Sequence, residues 1–207
     1  MARSDRRSAP LRARRGDRAP VPRLGRTVPA RHVAFFRNLN LGRPRSPTRQ
    51  QFEQAFLDAG ASEATSFLTN GTLVFSCAGR ANPQRLLAAA RKRLAAACGL
   101  VEPAFVRTLE HIADLVVSDP FAQVDRNAVH ECCVTFLHPA AAIPTAPVHS
   151  PRRDVEVLGF TQGEALSLSR KVGRSPGSPN ALLEKLLGVP ATTRNWNTLV
   201  RLVHKYR

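Results

Sequence analysis

The 207-residue sequence predicts an α+β fold of two successive α/β halves, the second degenerate, closed by C-terminal helices. Three observations predict it. Short runs with a two-residue apolar period alternate with runs of helical period. Asn70-Gly71, a hairpin turn signal, separates two of the short runs. A proline-rich stretch falls where the second half would need its first helix.

His32–Leu39 reads as a strand, with Val33, Ala34, Phe35 and Phe36 as its apolar body. A helix follows over about Thr48–Ala59: Thr48 and Gln51 have capping-box spacing, Pro47 stands near the first turn, and Gly60 ends it. Its apolar stripe is Phe52, Ala55, Phe56 and Ala59. Strands at about Ala64–Leu68 and Thr72–Cys77 flank Asn70-Gly71. Asn82-Pro83 then starts a helix to about Cys98, with Leu87, Ala90, Leu94 and Ala97 inward, and a strand near Ala104–Arg107 closes the unit. The order β-α-β-β-α-β is that of a ferredoxin-like plait.

A short helix at about Leu109–Val117 leads into the second half. Its strands are read at about His130–Leu137, Val155–Phe160 and Leu166–Arg170, with helices near Asn180–Leu187 and Arg194–Tyr206. Between the first two strands, His138–Arg153 holds Pro139, Pro144, Pro147 and Pro151, so the helix expected there is missing or vestigial. The expected architecture is a tandem of ferredoxin-like halves, residues 32–107 and 108–207, forming one compact unit behind a disordered basic tail, residues 1–31.

That tail carries ten arginines and two aspartates, a net of +8, half of the chain's formal +16. With four prolines and few large apolar residues it cannot offset its ordering entropy by burial. It has no apolar core of the kind a secretory leader needs, and no apolar run in the chain approaches membrane-span length. Cys77, Cys98, Cys132 and Cys133 show no metal-ligand or disulfide spacing, so a reducing, cytoplasmic setting is expected, with no metal and no cofactor.

Pairing the first and third strands brings two polar clusters to one sheet edge: Arg37-Asn38-Leu39-Asn40-Leu41-Gly42 and Thr69-Asn70-Gly71-Thr72. Gly42 and Gly71 would allow close backbone approach, to a ligand or in an ordinary turn. Arg194 is placed in the first turn of the last helix, with Thr193 or Thr192 as N-cap. A helix dipole disfavours a cation there, so Arg194 calls for an acidic partner or for an anion at the helix N-terminus. Trp196, Leu199, Val200 and Val203 share one face of that helix, which makes Trp196 a core anchor. The loop Arg170–Asn180, with Arg174 at its centre, ends in a helix capped at Ser178 with Pro179 in the first position.

Nucleophile-elbow, zinc-protease, P-loop and dinucleotide motifs are absent, and the strands lack the aromatic signature of an RNA-binding plait. The ligand-binding expectation rests on Arg37, Asn38, Asn40, Asn70, Arg174 and Arg194, for an anionic partner: nucleic acid or a phosphate-bearing small molecule. The alternatives are a small-molecule enzyme with its site at the polar edge of strand one, and a structural or partner-binding module.

Several segments resemble a bacterial family, the domain of unknown function 1697. Arg37–Arg43 is similar to its opening R-G-I-N-V-G-G, and Leu68–Phe75 to its Q-S-G-N-V-V-F. Pro120-Phe121 and Cys132–Leu137 match its P-F and H-V-T-F-L. The most specific match is Asn180-Ala181-Leu182-Leu183-Glu184 through Thr193-Arg194-Asn195-Trp196-Asn197-Thr198. Asn38 stands at the family's first glycine, Arg43 replaces the second of its paired glycines, and Arg174-Ser175-Pro176 lacks the lysine of R-S-K. The resemblance covers about residues 32–205. It implies an α+β plait architecture and a cytosolic bacterial protein, and it implies no reaction.

Overall fold

The computed structural model describes residues 30–79 and 81–207. The disorder expected of the tail therefore concerns residues outside the described ones, except that Arg31 opens the first strand. That strand, β1 (Arg31–Phe36), is followed by α1 (Arg49–Leu57), β2 (Ala61–Phe67), β3 (Thr72–Cys77), α2 (Pro83–Cys98), β4 (Ala104–Thr108) and α3 (Leu109–Ser118). Then come β5 (Glu131–Leu137), β6 (Val148–His149), β7 (Val155–Phe160), β8 (Glu164–Ser169), α4 (Pro179–Leu187), β9 (Ala191–Asn195) and α5 (Trp196–Tyr206). The first sheet has the order β2-β3-β1-β4, the second β6-β7-β8-β5-β9, and every pairing is antiparallel.

Local chemistry explains most boundaries. The Thr48 hydroxyl accepts from Gln51 N while the Gln51 side chain accepts from Thr48 N, a complete capping box. Asn82 accepts from both Gln84 N and Arg85 N and leads into Pro83, which has no N–H to leave unpaired. Ser178 caps α4 in the same way ahead of Pro179. The proline-rich 138–153 stretch holds no helix; its regular structure is the two-residue β6.

Four expectations are corrected. β1 stops at Phe36 rather than Leu39, because Asn38 adopts a left-handed φ of 49° that breaks the extended run. In α2 the inward set is Leu86, Leu87, Ala90 and Leu94, and Ala97 faces solvent. A strand, β9, precedes the last helix. Arg194 consequently lies in a strand and not in a helical first turn, and the cap of α5 is Asn195, whose Oδ1 accepts from Asn197 N at 2.8 Å. The two threonines, β-branched, extend β9 instead of capping.

Three apolar clusters order the layers. Phe36 and Phe75, on the outer face of the first sheet, pack against Phe52 and Phe56 of α1 and Leu87 and Leu94 of α2. The inner faces of both sheets share a second cluster, in which Phe35 of β1 stacks on Phe136 of β5 at 3.9 Å between centroids. Helices α3 and α5 flank this shared core through Ile112, Trp196 and Leu199. Trp196 is 4% exposed and meets Phe121 edge-on, so it is the expected core anchor. Burying each large apolar side chain stabilises by roughly 1.5–3 kcal/mol, and both sheets contribute such side chains to this cluster. The third cluster seats Leu183 of α4 on the outer face of the second sheet, against Leu137 and Ala191.

Arginines cross the seam between the sheets. Arg107 of β4 donates through Nε to Glu164 and through Nη2 to Gly163 O at 2.7 Å. Glu164, 1% exposed, also accepts from Thr161 and lies 3.2 Å from His111 Nε2. Burial alone would raise the Glu164 pKa, but the hydrogen bonds from Thr161 and Arg107 outweigh it and the group is held ionised.

Candidate functional site

The exit of β1 and the β2–β3 loop meet as their antiparallel pairing requires. Phe36 N donates to Gly71 O at 2.8 Å, and Leu41 N donates to Thr69 O at 2.8 Å. Asn38, at φ 49°, occupies a conformation that asparagine and glycine tolerate best, which accounts for an asparagine where the family motif has glycine. Gly71, at φ 69°, is required by the chain itself: a Cβ there would sit 2.7 Å from Leu39 Cβ and 3.1 Å from Phe36 Cβ. The close approach expected of Gly71 is thus to β1. Gly42 (φ 76°) has open space around it.

The second sheet supplies the opposite wall. Helix α4 presents Asn180 and Glu184, four residues apart and therefore on one face, and β9 presents Thr193 and Arg194. Between the walls lies a cleft of about 430 Å³, with Asn38, Asn40 and Asn70 on the first-sheet side.

Arg37 is fully engaged. Its Nε and Nη2 form a fork on Glu184 at 2.6 and 2.9 Å, and its Nη1 reaches Glu102 at 2.9 Å. The fork lowers the pKa of Glu184, helped by the Ala191 N–H that donates to it at 3.0 Å. Hydrogen bonds from Arg37 to Glu184 and Glu102 raise the arginine's own pKa further above its ordinary value. Of these two carboxylates, Glu184 lines the cleft and Glu102 does not.

Arg194 is the converse case. It is 7% exposed, yet no carboxylate among the described residues lies within ion-pairing distance of it. Its N–H groups go to neutral oxygens: Nε to Thr72 Oγ1 at 3.0 Å, Nη1 to Thr192 Oγ1 at 2.9 Å and Thr193 O at 2.8 Å, Nη2 to Phe36 O at 2.8 Å and Gly71 O at 3.4 Å. The guanidinium also stands over the Phe35 ring, 5.6 Å from its centroid. Burial brings its pKa down to about 10, still far above neutrality, so the charge persists at the floor of the cleft.

Five of the six sequence-predicted residues, Arg37, Asn38, Asn40, Asn70 and Arg194, line this one cleft. Arg174 does not: it is exposed in the loop between β8 and α4, within the span closed by the Lys171–Pro176 bridge. Neither alternative expected for Arg194 holds as stated, since no acid pairs with it and it is not at a helix N-terminus. Sequence reasoning missed Glu184, Glu102 and Asn180. The spacing of Asn180 and Glu184 was a usable signal; the link from Arg37 to Glu102, 65 residues away, carried none.

A larger hollow of about 540 Å³ lies between α1 and α2 on the outside of the helix layer, where Gln50, Gln54 and Arg93 face solvent. Asp58 and Arg93 are the charged residues in its lining. Among the described residues no cluster of three His, Cys, Asp or Glu side chains could hold a metal ion. Their four cysteines are free, and burial pushes the Cys133 thiol up to about 12, which leaves it without thiolate character.

A family model described as protein of unknown function (DUF1697) matches residues 30–165. The chain belongs to this family. The DUF1697 match takes in the β1 exit and the β2–β3 loop, while α4 and β9 lie beyond it. Among solved structures, a conserved bacterial protein of Streptococcus pneumoniae is similar at a TM-score of 0.60 and 15% identity, over 87% of this chain and 100% of that one. That likeness shows a shared fold. No curated protein matches the DUF1697 chain. No helix among the described residues is long and apolar enough to cross a membrane.

Proposed function

We propose that the cleft between the β1 exit and the α4–β9 wall binds a small molecule bearing an anionic group. The observation that carries this is the buried, unbalanced charge of Arg194 at its floor. A buried charge without a counter-charge is destabilising, and such groups concentrate where a ligand completes the electrostatics. The cleft's size and its polar lining of Asn38, Asn40 and Asn70 fit a small ligand held by few, placed hydrogen bonds.

Nucleic acid is the weaker of the anionic partners considered. Arg37 is consumed by two carboxylates, and Arg174 lies apart from the cleft. The enzyme reading shares the same cleft, at the polar edge of strand one, but Glu184 is held by Arg37, and Thr193 Oγ1 shares a hydrogen bond with Thr135 Oγ1 at 2.8 Å. Binding is the function these side chains serve as they stand.

We also read the molecule as a tandem of ferredoxin-like halves. The run β7-β8-β5-β9 repeats the strand order β2-β3-β1-β4, with β9 as the closing strand of a second β-x-β-β-α-β unit whose first helix is lost. On that reading the cleft lies where the two plaits meet, a common place for ligand sites. Titration of the purified protein with short carboxylic acids and with inorganic phosphate, followed by calorimetry, tests the proposal. Heat of binding that disappears in Arg194→Met supports it; identical heats in both proteins would refute it.

A further inference from the structure

At the floor of the cleft Arg194 contributes an unbalanced positive charge, whereas Glu184 in the lining is paired with Arg37. Two carboxamide oxygens also stand buried with no hydrogen-bond donor: Asn70 Oδ1 on the first-sheet side and Asn180 Oδ1 on the second. Other orphaned side-chain atoms, His32 Nδ1, Ser167 Oγ and Tyr206 Oη, do not line this cleft. A buried acceptor left unpaired is disfavoured by roughly 1–3 kcal/mol, so two in one cleft call for a donor between them.

We infer that the ligand is dipolar: an anionic end faces Arg194, and a donor end, best a protonated amine, faces Asn70 and Asn180. This rests on the reading of the cleft as a small-molecule site. Amino acids and related small zwitterions have this chemistry. A phosphate dianion does not, because it has no cationic end. An amine there supplies the donor that the two orphaned oxygens lack.

The test is a matched series on the full chain by isothermal calorimetry: propionate, lactate and alanine, then hexanoate, 2-hydroxyhexanoate and norleucine. Amino forms are expected to bind at least about 10-fold tighter than unsubstituted acids, with hydroxy forms between. Asn70→Leu should erase most of that preference, while Asn70→Asp, which keeps an acceptor and adds charge, should keep or enlarge it. Equal binding of all three forms, still dependent on Arg194, would overturn the dipolar ligand and leave the anion site standing. Binding by none of the six would remove both.

Discussion

Arg194 Nη2, carried on β9 of the second sheet, donates to the carbonyl oxygen of Phe36 at the end of β1 in the first, at 2.8 Å. The same guanidinium reaches Thr72 Oγ1, the first residue of β3. One side chain therefore registers the last strand of the molecule against the two central strands of the other sheet. It does so with neutral acceptors, so the tie leaves a charge that nothing in the fold balances. Position and electrostatics are separable here, and they respond to different substitutions.

Gly71→Ala should be the most damaging small change near the cleft. At φ 69° an alanine is strained, and its Cβ would lie 2.7 Å from Leu39 Cβ. A loss of about 2–3 kcal/mol is expected from strain and overpacking together. Gly99→Ala is the control: its φ is 73° but nothing lies within 4 Å, so only the backbone penalty of about 1 kcal/mol applies. Urea denaturation of the two variants measures the difference, and equal losses would contradict the packing assigned to Gly71.

Glu164→Gln should destabilise the seam by about 2–3 kcal/mol at neutral pH, because it leaves Arg107 facing a neutral group at a site 1% exposed. The sign of the pH effect follows from the lowered carboxylate pKa. Stability from this group is fully present above the unfolded value of about 4.3 and is lost as pH falls through the lower folded value. The wild type should thus lose stability on acidification below about pH 4.3 more steeply than the Gln variant. Parallel curves would place the carboxylate's role elsewhere.

His32 gives a second, separate window. It is 9% exposed and stacked on Phe75, and burial lowers its pKa against a smaller opposing effect of the hydrogen bond to Ala30. The unfolded chain binds this proton more readily, so the stability contributed is present above about pH 6.5 and falls as pH drops below it. His32→Phe preserves the stacked ring and removes the titration. Thermal melts between pH 7 and pH 5 should decline in the wild type and flatten in the variant.

The legibility of this molecule in its sequence divides at β9. Elements with local signals emerged within a residue or two: Thr48-x-x-Gln51, Asn82-Pro83 and Ser178-Pro179 each start a helix where read. Ala191-Thr192-Thr193-Arg194-Asn195 has the alternation of a strand, but its inward residues are Thr192 and Arg194, which hydrophobic periodicity scores as outward. A buried arginine is thus the reason the strand was missed and the helix start misplaced. The cleft was legible in part for the same kind of reason. Strand pairing alone predicts that Arg37, Asn38 and Asn40 meet Asn70, and they do. That Glu184 and Glu102 would neutralise Arg37 depends on side-chain reach across long sequence separations, for which no local pattern exists.

The most direct test of an anion site at Arg194 is one comparison: calorimetric binding of small carboxylic acids to wild type and to Arg194→Met, with folding stability measured on the same samples. Phe36 O keeps the Thr192 hydroxyl and Gly71 O keeps Phe36 N as donors when the guanidinium is removed, and an uncompensated buried charge is removed with it. Arg194→Met is therefore expected to stay within about 1 kcal/mol of wild-type stability and to lose acid binding. A variant destabilised by about 3 kcal/mol or more that still bound the acids as wild type does would make Arg194 a purely structural tie and contradict the proposed site.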